Sequence, residues 1–132
     1  MKKKVVILPC SGIGKAYGEM GRQAIFELIE DLGAEEATTT CLARLMIDDP
    51  ETKGLVHENL VITVDGCAHD CARKNVEFTG KKVNRALRVI DIFKDNRFAA
   101  RKKPGHGKFI QLIGAPNGHW RLLTAQLPCG HD

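Results

Sequence analysis

The sequence predicts an α/β fold: a small, open, mainly parallel four-stranded sheet with helices on both faces. Short β-branched and aliphatic runs alternate with stretches whose apolar residues recur at three- and four-residue steps. The runs are continuous rather than alternating, as expected for strands covered on both sides. Strand–helix alternation over about a hundred residues favours parallel pairing through helical crossovers.

Residues 4–9 form the first expected strand, ended by Pro9 and a Gly-rich turn. From Tyr17 the period becomes helical, with Met20, Ala24, Ile25, Leu28, Ile29 and Leu32 on one stripe and Gly33 as the stop. Residues 37–42, rich in Thr, read as a second strand. Asp48-Asp49-Pro50-Glu51 opens a short helix, with acidic residues and Pro in its first turn. Residues 60–64 (Leu-Val-Ile-Thr-Val) are the clearest strand of all. Asp65-Gly66-Cys67 leads from it into a helix expected over 68–79 and stopped by Gly80, and 86–92 is the fourth strand.

Beyond Lys103 the pattern weakens. Residues 109–113 and 120–127 flank Pro116-Asn117-Gly118, so this segment is either a C-terminal β-hairpin or a loosely ordered tail. The expected division is an α/β domain over 1–103 and an atypical basic extension over 104–132.

Charge is unevenly spread along the chain. The net charge is +4, but residues 1–92 hold 13 Lys/Arg against 14 Asp/Glu, whereas residues 93–132 hold 7 against 2. The main body is therefore near neutral and the basicity sits at the end. Nucleic-acid binding by the whole domain is not expected, and one Trp with one Tyr offers little for base stacking. Val5 to Leu8 after Lys2-Lys3-Lys4 is too short for a signal peptide's apolar core of roughly 7–15 residues. No run approaches the roughly 20 apolar residues of a membrane span. A cytoplasmic location is expected, where cysteines more often bind metal or do redox chemistry than form disulfides.

The chain has five cysteines. On the expected scheme Cys10 ends the first strand, Cys41 the second, and Cys67 follows the third. Cys71 lies one turn further along the same helix. In an open parallel sheet these strand ends share the edge where ligands bind. Four thiols would converge there, a donor set that suits a tetrahedral Zn²⁺ site. Helix starts after Cys10 and Cys67 would favour thiolates and lower their pKa values. Asp65 is expected to cap the second of these helices, and Gly66 to permit a tight turn aiming Cys67 inward; Ser11 completes the supporting residues. His69 points to another helix face and ranks below the cysteines. Taken singly, Cys10 or Cys41 is more simply a small buried filler. The Cys-x-x-x-Cys spacing is also looser than two tight Cys-x-x-Cys knuckles. Four of five cysteines at one edge outweigh that reading.

Val64-Asp65-Gly66-Cys67 with Cys71-Ala72-Arg73-Lys74-Asn75, and Leu8-Pro9-Cys10-Ser11-Gly12-Ile13-Gly14-Lys15, resemble the DGC-domain family. That family is named for its central Asp-Gly-Cys motif and is described as zinc-binding because of four potential chelating cysteines. The resemblance covers about residues 3–103 and implies Cys10, Cys41, Cys67 and Cys71 as zinc ligands, with no settled reaction. The sequence after Gly105 departs from the family, so Cys129 has no counterpart in it.

Two phosphate-binding motifs fail by residue. A P-loop would need Gly at position 9 and Ser or Thr at 16, and Pro9 and Ala16 stand there. A cysteine-phosphatase loop would need Arg at that same position 16. No carboxylate pair suggests acid–base chemistry, and His57 reads as a surface residue. The expected function is metal handling or sensing through a four-cysteine zinc site. Two alternatives use the same residues: a sulfur-transfer or disulfide-exchange enzyme with Cys10 or Cys67 as nucleophile and Cys71 resolving, or an iron–sulfur protein. The expected partner is a metal ion, with no nucleic acid and no membrane. The sequence names no protein partner.

Overall fold

A computed structural model describes residues 2–10, 12 and 15–95. The elements run β1 (Val5–Pro9), α1 (Ala16–Leu32), β2 (Ala37–Thr38), α2 (Leu42–Met46), α3 (Pro50–Glu58), β3 (Leu60–Asp65), α4 (Cys71–Phe78), β4 (Arg85–Arg88) and α5 (Val89–Asp95). The four strands form one sheet in the order β2-β1-β3-β4, with every pair parallel. The expected α/β class, sheet size and parallel pairing are thus observed.

The alternation of side chains along each strand builds two cores. Ile7, Ile62 and Val64 face one side and pack with Ala24, Ile25 and Leu28 of α1 and with Val89 and Phe93 of α5. Val6, Leu8 and Val61 face the other and meet Leu42 and Leu45 of α2, Val56 of α3, and Ala72 and Val76 of α4. The sheet is covered on both faces, which is why its strands lack polar alternation. Gly21 lets α1 lie close, because a Cβ there would meet Val64 and Val89 methyls at 3.3 Å.

Several local expectations are corrected. β2 has only two residues at the sheet edge, and Cys41 is the N-cap of a separate helix, α2. Leu42 and Leu45 explain it, since their i,i+3 spacing buries both against α4. The expected strand over 86–92 runs only from Arg85 to Arg88 and then turns into α5, because Val89 and Phe93, four apart, both enter the α1 core. The helix expected from residue 68 begins at Cys71, so Cys67 lies in the preceding turn rather than on the same helix face as Cys71. The acidic start of α3 is as expected: Asp49 caps it by accepting from the Thr52 amide at 2.9 Å. The hairpin read over 109–127, and the division at residue 103, lie outside the described residues.

Candidate functional site

In this strand order β1 sends its crossover to β2 on one side, while β3 pairs on its other side. The switch point therefore falls at the carboxyl ends of β1 and β3, where open α/β sheets bind ligands. Cys10 follows β1 directly, and Gly66 and Cys67 follow β3. The Cys10 amide donates to the Val64 carbonyl at 3.1 Å, and the Gly66 amide donates back to the Cys10 sulfur at 3.4 Å.

Glycines make this close approach possible. A Cβ at Gly66 would stand 2.6 Å from the Gly18 nitrogen, and one at Gly18 would stand 2.7 Å from the Gly12 Cα and 3.3 Å from the Cys10 sulfur. Three backbone segments thus meet around one thiol. Gly66 was expected to serve a tight turn, yet it is not among the positive-φ glycines. It must be glycine because the start of α1 lies against it.

Cys10 is half-buried, while Cys41, Cys67 and Cys71 are exposed, and all four are free thiols. Burial pushes the Cys10 thiol up. The Gly66 N–H opposes that shift, and the charges of Asp65, Cys71 and Cys67 lie near enough to add to it. The expectation of a lowered Cys10 pKa is therefore reversed, because loss of water outweighs one long hydrogen bond to sulfur. Cys41 stands on the other side of Cys10. Both line a cleft of about 460 Å³ shared with Pro9, Arg22, Phe26, Thr39 and Thr40.

The loop carrying Cys67 is held by two buried carboxylates. Asp65 is 1% exposed and accepts from the Ala72 amide at 2.7 Å and the Arg73 amide at 3.2 Å. It thereby caps α4 from the end of β3, as expected. Burial raises its pKa, and the two N–H bonds act against that. Asp70 is 3% exposed and takes a left-handed φ of 53° immediately before α4. It receives Arg88 Nε at 2.6 Å and Nη2 at 2.5 Å, with Arg73 Nη2 at 2.8 Å. These bonds hold the Asp70 carboxyl below its usual range.

Asp70, Arg73 and Arg88 were missed from sequence. Asp70 carried a weak signal, a helix-capping residue just before Cys71. Arg88 carried none, since only the β3–β4 pairing brings it to the loop. His69 is exposed, and so is His57, which sits 3.2 Å from the Thr79 hydroxyl. Ser11 lies outside the described residues.

The thiols are zinc donors in kind. Their spacing does not form a coordination shell: among the described residues no three His, Cys, Asp or Glu side chains are grouped closely enough to hold one metal ion. No described helix is long and apolar enough to cross a membrane. A family model described as DGC domain matches residues 6–106. No curated protein and no solved structure matches the chain.

Proposed function

The chain belongs to the DGC-domain family, and from that premise we propose that it binds a thiophilic divalent metal, Zn²⁺ first, through Cys10, Cys41, Cys67 and Cys71. The observation that carries this reading is the position of Cys10 at the sheet's switch point. Cys67 and Cys71 lie within electrostatic reach of it on one side, and Cys41 shares a cleft with it on the other. When bound, zinc would hold the four side chains as thiolates and release their protons. Because the thiols are not grouped as a shell, uptake requires the exposed Cys41, Cys67 and Cys71 to draw in around Cys10.

Metal handling or sensing fits better than stapling. Two hydrophobic cores cover both faces of the sheet, and a domain with such cores does not need a metal to fold. The location is proposed to be cytoplasmic.

Elemental analysis of the purified full-length protein tests the reading. One zinc per chain is expected, lost in Cys→Ser variants at positions 10, 41, 67 and 71 and retained in Cys129→Ser. Chelation should leave the far-ultraviolet circular dichroism unchanged. Brown colour with visible absorption would replace zinc by an iron–sulfur cluster. A metal-free protein with one fast-alkylating thiol would replace it by thiol chemistry, and unfolding on chelation would make the metal a staple.

A further inference from the structure

The turn from Gly66 to Asp70 bears Cys67 and delivers the chain to Cys71, and both its ends are tied to one distant corner. At its start the Gly66 carbonyl accepts from the Ile90 amide at 3.2 Å. At its end the Asp70 carboxylate is gripped by the Arg88 guanidinium through two nitrogens. Ile90 and Arg88 lie two residues apart, where β4 becomes α5. Inside the turn only the Asp70 amide closes back, onto the Cys67 carbonyl at 3.3 Å.

We infer that the β4–α5 corner is a clamp setting Cys67 against Cys71, with Arg88 as its positioning residue. The inference rests on the four-thiol reading for its consequence, though not for its geometry.

Three features give Arg88 this role rather than that of an ordinary surface ion pair. Its partner is buried, so removing the guanidinium leaves the Asp70 carboxylate with Arg73 as its remaining salt-bridge partner. The contact is a planar fork on both carboxylate oxygens, which fixes direction as well as distance. Asp70 also sits in the left-handed region that residues with a Cβ seldom occupy, a conformation that needs outside support. Asp91 steadies the arginine from its own helix at 3.5 Å, and Arg73 adds a second cation to Asp70 from α4. Groups that orient ligand-bearing residues typically change metal affinity about 10- to 100-fold when removed.

Amide hydrogen exchange on the full-length, metal-free, reduced protein tests the clamp, beside zinc affinity measured against a competing chelator. Arg88→Gln should speed exchange over residues 67–73 by about tenfold while α1 and β1 keep their rates, and should weaken zinc by about tenfold. Arg88→Lys keeps the charge and loses the fork, so it should fall between. Unchanged exchange over 67–73 would overturn the inference, as would acceleration spread equally over α1 and β1. A localised exchange response with zinc affinity unaltered would also overturn the positioning role. If the wild-type chain takes up no zinc while 67–73 responds to Arg88→Gln, the four-thiol reading falls and the clamp on the thiol pair stands.

Discussion

The two sides of the thiol edge are built differently. On the β3 side, the turn with Cys67 is fastened by Asp65, Asp70, Arg88 and the Ile90 amide, and Cys71 opens a helix whose Ala72 and Arg73 N–H groups are capped by Asp65. On the β2 side, Cys41 follows a two-residue edge strand, caps a five-residue helix without a side-chain bond, and stands exposed beside an open cleft. Cys10 lies between them. The backbone of one side is fastened by side-chain hydrogen bonds, and that of the other, at Cys41, is not.

The largest effect should come from filling the backbone junction on the β3 side. Gly66→Ala sets a Cβ 2.6 Å from a backbone nitrogen that no rotamer change can move. A loss of about 3 kcal/mol is expected in urea unfolding, at the upper end for overpacking. A loss under about 1 kcal/mol would mean that the start of α1 yields easily, and the two sides would then differ less than described.

An intermediate effect should appear in acid. Asp70 binds its proton less readily when folded than when unfolded. Its contribution is therefore complete above the unfolded value of about 3.9 and fades as pH falls through the lower folded value. Asp65 has the opposite sign: its folded pKa is raised, so its contribution is complete below the unfolded value and fades as pH rises through the folded one. Urea midpoints measured from pH 6 down to pH 2.5 should show Asp70→Asn with a flatter acid limb than wild type. Asp65→Asn should change the slope the other way. Identical acid limbs for Asp70→Asn and wild type would remove the charge argument for the Asp70–Arg88 pair.

The smallest effect belongs to the β2 side. Cys41→Ser replaces an exposed thiol by a good helix-capping residue. Its stability should stay within about 0.5 kcal/mol of wild type, as for surface substitutions generally. Zinc uptake, by contrast, should be lost. A metal-free Cys41→Ser protein destabilised by more than about 1 kcal/mol would show that Cys41 is already part of the packed structure.

Much of this was legible in the residues. The continuous apolar runs at Val5–Pro9 and Leu60–Asp65, and the helical stripe of α1, carry their structure locally, because buried parallel strands and amphipathic helices have distinct periods. The Asp-Gly-Cys motif likewise marked the switch point and its capping carboxylate. The strand expected over 86–92 holds as far as Arg88 and gives way to helix from Val89, because an apolar run serves a strand or a buried helix equally well. Only the α1 core into which Val89 and Phe93 fit distinguishes the two. Cys41 was placed on a strand for a similar reason, since edge strands end where their single neighbour stops pairing.

By itself, then, the sequence determined the layered α/β plan, the placing of Cys10 and Cys67 after the first and third strands, and the neutral character of the main body. Each follows from spacing, residue type or charge along the chain. Tertiary structure alone decided that Cys10 is a half-buried thiol whose pKa burial pushes up, that Gly66 is glycine because of α1, and that Arg88 reaches Asp70 across 18 positions. Desolvation, close backbone approach and long-range ion pairing depend on which segments become neighbours, and local pattern carries no record of that.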